Sequence, residues 1–71
     1  MIRAYYGLKR GGSGGRSIKD AAEAEKILKG GYGVTTVRLE DESGELVGQR
    51  WRHTEGSKTR WLWFYDQDYF R

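Results

Sequence analysis

Apolar and polar positions alternate from the second residue onward. Ile2, Ala4, Tyr6 and Leu8 fall on one side and Arg3, Tyr5 and Gly7 on the other, which predicts a strand over 2–8 with a distinct inward face. The alternation stops at Lys9-Arg10-Gly11-Gly12-Ser13-Gly14-Gly15-Arg16, whose four glycines predict a flexible basic loop. Beyond it the spacing becomes helical. Ile18, Ala21, Ala22, Ala24, Ile27 and Leu28 share one broad face, while Lys19, Glu23, Lys26 and Lys29 lie mostly opposite. The predicted helix covers 18–29, with Ser17 as its N-cap, Asp20 as the acid three residues on, and Gly30-Gly31 as its stop.

Period-two patterning returns over 33–40, where Thr35, Val37 and Leu39 oppose Val34, Thr36 and Arg38. Asp41-Glu42-Ser43-Gly44 reads as a polar turn with a late glycine. A further strand over 45–53 sets Val47, Gln49 and Trp51 against Leu46, Gly48, Arg50 and Arg52. After a second turn over 54–58 comes the most apolar run, Arg60-Trp61-Leu62-Trp63-Phe64-Tyr65. It is too short to nucleate a helix alone and is aromatic throughout, so it predicts a strand with two apolar faces. Leu62 and Phe64 are expected to face inward, which leaves Trp61, Trp63 and Tyr65 outward, where indole N–H groups reach water. Tyr69 and Phe70, in the short tail, are placed to fold back on the sheet or to dock on a partner.

These elements predict a single small α+β domain over 1–71, in the order β-α-β-β-β. One helix packs on one face of a three- to four-stranded, mainly antiparallel sheet. Val37, Leu39, Val47 and Trp51 are expected to face the helix. Tyr5, Arg38, Arg50 and Arg52 are expected to crowd the opposite face.

Seventy-one residues bury only roughly 60% of the surface their unfolded chain exposes, so some of the ten aromatic residues must be structural. With no cysteine and one histidine, His53, the chain offers neither disulfides nor a thiolate or histidine metal cluster, and no cofactor is implied. No uninterrupted apolar stretch approaches the ~20 residues that span a bilayer, and 1–6 do not read as a signal peptide. A soluble cytoplasmic protein without membrane attachment is expected. Thirteen Lys and Arg against ten Asp and Glu leave a formal charge of +3. Eight of the thirteen are arginine, the cation suited to planar contacts with phosphate, carboxylate and aromatic faces.

Two features carry candidate chemistry. The glycine-rich segment ahead of a helix suggests backbone N–H groups offered to an anion, with Lys9, Arg10 and Arg16 as the candidate contacts. It lacks the glycine and lysine of a phosphate-binding loop and the third glycine of a dinucleotide fold. The second feature is the outward set of Tyr5, Arg38, Arg50, Arg52, Arg60, Trp61 and Trp63. Bases could stack on its rings while cations meet phosphates, and the same composition marks protein hot spots. The expected function is thus a small basic binding module for single-stranded nucleic acid or nucleic-acid backbone. The alternative is a protein-interaction or inhibitor module, including a homodimer, that uses the same face. The acidic residues at 40–45 and at 66 and 68 read as solvated turns, since calcium-loop spacing is absent. His53 has no nucleophile in an identifiable pattern, so catalysis is not expected. No stretch carries the motif of a known family.

Overall fold

The structure, a computed structural model, describes residues 1 to 70, and for Phe70 the backbone alone. Five strands form one antiparallel sheet in the order β2-β1-β3-β4-β5. They are β1 (Ile2–Leu8), β2 (Ser13–Ile18), β3 (Val34–Glu40), β4 (Leu46–Glu55) and β5 (Lys58–Tyr65), and the helix α1 (Ala21–Leu28) lies on one face. The α+β class and the one-sided helix are as the sequence predicts. The sheet has one strand more, and that strand lies in the glycine-rich segment.

The flexible loop expected over 9–16 is therefore confined to its first four residues. Gly11 and Gly12, at φ 98° and 87°, turn the chain so that Ser13–Ile18 runs back along β1. Glycine is a poor strand former, but here β1 supplies the side chains. The Tyr6 ring lies 2.9 Å from where a Cβ on Gly14 would sit, and Tyr5 lies directly opposite Gly15. Ile18 then closes the strand as a core residue paired with Ile2.

Because Ile18 belongs to the sheet, the helix starts later than its periodicity suggests. Its N-cap is Asp20 rather than Ser17: the Asp20 carboxylate accepts from the Glu23 N–H at 2.8 Å. Gly30, at φ 97°, ends it where the sequence places the stop. Ala24, Ile27 and Leu28 pack onto Ala4, Val34, Val37, Leu39 and Val47 to form the core.

Two irregularities reset which side chains face the helix. A register shift between Tyr6 and Leu8 lets both Val34 and Val37 point inward. Between β3 and β4, Leu39 pairs with Gly48 but Glu40 pairs with Leu46, so Val47 is an extra, bulged residue. Val47 still reaches the core, but the alternation after it is reversed relative to the sequence reading. Arg50 and Arg52 face the helix side, and Gln49 and Trp51 face away.

The reversal passes to β5, which pairs with β4 without interruption. Trp61 lies opposite Arg52, Trp63 opposite Arg50 and Tyr65 opposite Gly48. The expected orientation of the aromatic strand is corrected accordingly: Trp61, Trp63 and Tyr65 lie on the helix side, and Leu62 and Phe64 on the open face. After β5 the Asp66 N–H donates to the Val47 carbonyl at 2.7 Å, and a short helical turn (Gln67–Phe70) brings the Tyr69 hydroxyl to Asp41 Oδ2, also at 2.7 Å. Tyr69 thus folds back onto the β3–β4 turn; the expectation for the Phe70 side chain lies outside the described residues.

Candidate nucleic-acid interface

Each face of the sheet gathers a different set of the predicted residues. On the helix side, Arg50 is 7% exposed although it carries a charge. Its Nε donates to the Thr35 carbonyl at 2.8 Å and its Nη1 to the Leu28 carbonyl at 3.1 Å. Its guanidinium carbon lies 4.4 Å from the centre of the Trp61 ring. Burial pulls the Arg50 pKa down from its usual value, and a guanidinium is basic enough to stay charged all the same. Beside it, Trp63 and Tyr65 stack at 6.0 Å with ring planes 10° apart, and the Lys29 ammonium lies 5.7 Å from the Trp63 ring. The Tyr65 hydroxyl donates to Glu25 Oε1 at 2.9 Å, and this hydrogen bond raises the phenol pKa. Arg50, Trp61 and Trp63 therefore anchor the helix to the sheet, and Arg52 lies on the same side opposite Trp61.

Tyr5, Arg38 and Arg60 do occupy the helix-free face. Tyr5 and Arg38 are cross-strand partners, and Arg38 Nε donates to Glu40 Oε2 at 2.6 Å. Gln49, Trp51, Leu62 and Phe64, expected on the helix side, also stand on this face. Trp51 meets Phe64 edge to face, with centroids 6.0 Å apart and planes at 71°. Tyr5 and Phe64 are each 45% exposed. Between them the sheet carries a shallow depression of about 500 Å³, lined by Tyr5, Gly7, Thr36, Arg38, Gln49 and Trp51. The signal that would have found this set is the adjacent apolar pair Leu46-Val47 at the start of β4, which breaks strict alternation where the bulge forms.

The glycine-rich anion site takes a different shape from the one expected. Residues 13–18 form an edge strand paired with β1 rather than a loop that could wrap an anion, and the Asp20 carboxylate caps the helix N-terminus. Arg16 points to the helix side, where its Nη2 lies 3.5 Å from Glu23 Oε1 and its guanidinium 4.1 Å from the centre of the Tyr32 ring. Lys26 approaches the same ring at 4.8 Å. Tyr32 holds a left-handed backbone at φ 63°, and Lys9 and Arg10 line a cavity next to it. Cations from three segments thus converge on a single tyrosine, without a glycine cradle.

The acidic turn is organised by one residue. Asp41 Oδ1 accepts from the N–H groups of Ser43 and Glu45 and from the Ser43 hydroxyl. Together with the Tyr69 hydroxyl, the largest influence, these bonds hold its carboxyl down at about 2. The same contact pushes the Tyr69 phenol up to about 12. His53 Nε2 lies 3.9 Å from Glu55 on the open face. Among the described residues no three His, Cys, Asp or Glu side chains gather where a metal ion could be held, and no helix is long and apolar enough to cross a membrane.

Comparison with protein-family models, with curated proteins and with solved structures finds no match to this chain.

Proposed function

We propose that this chain is a small, cytoplasmic, non-catalytic binding module that takes single-stranded nucleic acid across the helix-free face of its sheet. The observation that carries the reading is the presence of three rings on the helix-free face of the sheet, Tyr5 at one end of the cross-strand line Tyr5–Arg38–Gln49–Phe64 and the Trp51–Phe64 pair at the other, with Tyr5 and Phe64 nearly half exposed. Rings on such a surface stack bases at ~1 to 3 kcal/mol each, without regard to sequence. Arg3, Arg38, Lys58 and Arg60 share this face and flank the rings, so phosphates on either side of a stacked base meet cations. Glu40 already engages Arg38, which makes Arg60 and Lys58 the cations most available to a backbone.

A protein partner is the second reading, favoured by Leu62. It lies directly opposite Trp51 and extends the Trp51–Phe64 pair into an apolar strip, which is how hot spots are built.

A fluorescent single-stranded oligonucleotide titrated at two salt concentrations separates the readings. Nucleic-acid binding predicts a slope of ~0.7 in log affinity against log salt for each neutralised phosphate. Arg60→Ala should flatten that slope, Phe64→Ala and Tyr5→Ala should weaken binding at every salt, and a folded Trp63→Ala should bind as the parent does. No binding at ~50 mM salt overturns the reading and leaves the protein partner.

A further inference from the structure

We infer that β5 is the contact strand of a two-fold dimer, in which the open edges of two copies pair antiparallel about Leu62 and join their sheets. β5 is an edge strand, bordered only by β4 among the described residues. Its eight residues pair with β4 without a bulge, and the described tail turns the other way, toward Asp41. The bond from the Asp66 N–H to the Val47 carbonyl fixes the phase of that ladder. Lys58, Arg60, Leu62 and Phe64 direct their backbone groups to β4, and Thr59, Trp61 and Trp63 direct theirs to the open edge. A long regular edge of this kind is a template for another strand, and proteins usually blunt it with bulges, prolines or charged side chains; β5 has no bulge or proline, and its charges are Lys58 and Arg60.

The side chains point to a second copy as the occupant and select the register. With the two-fold axis at Leu62, Trp61 of each chain pairs with Trp63 of the other through the outward backbone groups, giving four hydrogen bonds and two cross-strand indole contacts on the helix side. On the open face Leu62 meets Leu62 and Arg60 meets the Phe64 ring. Lys58 comes opposite Asp66, so each end of the ladder closes on opposite charges. Other axes do worse. An axis at Arg60 sets arginine against arginine, one at Trp61 leaves both cations without an acid, and one at Trp63 leaves Lys58 and Thr59 outside the ladder. The symmetry closes on itself, so the product is a discrete dimer rather than a filament. It would double the open face, but it stands whether or not that face binds nucleic acid.

Sedimentation of the parent protein should give twice the 8.2 kDa chain mass. The chain has no cysteine, so single cysteines report the register. Leu62→Cys, at the axis, should oxidise to a covalent dimer, and Arg60→Cys, which faces Phe64 of the other copy, should stay largely free of cross-links under the same oxidant. Leu62→Lys sets like charges against each other at the axis and should halve the sedimenting mass while leaving the far-UV spectrum unchanged. A parent protein that sediments at 8.2 kDa up to ~1 mM overturns the inference, as does cross-linking of Arg60→Cys as fast as Leu62→Cys.

Discussion

Arg50 donates from its Nη1 to the Leu28 carbonyl at 3.1 Å, so a residue of β4 closes the C-terminal end of α1. The last carbonyls of a helix lack intrahelical donors and carry the negative end of its dipole, and a cation here answers both needs. The Trp61 ring stacked on the guanidinium keeps water away from it. Arg50→Met should therefore cost about 1.5 to 3 kcal/mol, because the Leu28 and Thr35 carbonyls lose a charged donor while staying covered. Arg50→Lys should recover only part of this, since one ammonium cannot hold both carbonyls and stack on an indole. Urea unfolding of the three proteins checks the order; equal midpoints for the parent and Arg50→Met would refute the role.

The helix start gives a sharper test of local structure. Asp20→Ala removes the acceptor that the Glu23 N–H uses and should destabilise by ~1 kcal/mol, whereas Ser17→Ala, on the exposed side of β2, should lie within ~0.5 kcal/mol of the parent. The opposite order in thermal unfolding would restore Ser17 as the cap.

Gly48 lies where β3, β4 and β5 meet behind the bulge at Val47. A Cβ there would stand 2.8 Å from Leu39 Cδ1 and 3.1 Å from the Phe64 carbonyl oxygen. Leu39 is fully buried and the Phe64 oxygen is backbone, so neither yields easily. Gly48→Ala should cost about 1 to 3 kcal/mol through overpacking. A variant as stable as the parent would mean that β4 and β5 are packed less closely than this.

The tail contact sets a pH window. Asp41 titrates at about 2 instead of 3.8, so its contribution to holding Tyr69 is complete above about 4 and is lost as pH falls through about 2. Tyr69 titrates at about 12 instead of 10.0, so its share is complete below about 10 and is lost as pH rises through about 12. Carbon-13 shifts of the Asp41 carboxyl and the Tyr69 ring should show both titrations displaced, and Tyr69→Phe should return Asp41 toward its usual value. An Asp41 carboxyl whose titration is unchanged by Tyr69→Phe would show the tail to be undocked.

Interactions between near neighbours along the chain were legible before the fold was known. The period-two pattern of 2–8 located β1 and its inward residues, the helical spacing of Ala24, Ile27 and Leu28 located α1, and Gly30 marked its end. The strand character of the aromatic run was equally clear, as was the acidic turn at Asp41. Each rests on backbone preference and side-chain period, which a short stretch carries by itself.

Long-range pairing decided the remainder. β2 has too little strand propensity to be visible alone and exists because Tyr5 and Tyr6 of β1 cover its glycines. That pairing holds Ile18 in the sheet and moves the helix cap to Asp20. The single extra residue at Val47 inverted every later assignment in β4 and, through their shared ladder, in β5. Strand side chains alternate with a period of two, so one inserted residue exchanges the two faces completely. It turned Arg50, Trp61 and Trp63 into the anchor of the helix and placed Trp51, Leu62 and Phe64 on the open face. Residue types were enough to foretell an aromatic and basic surface, but its membership was set by a bulge that only the fit of β4 against β3 could place.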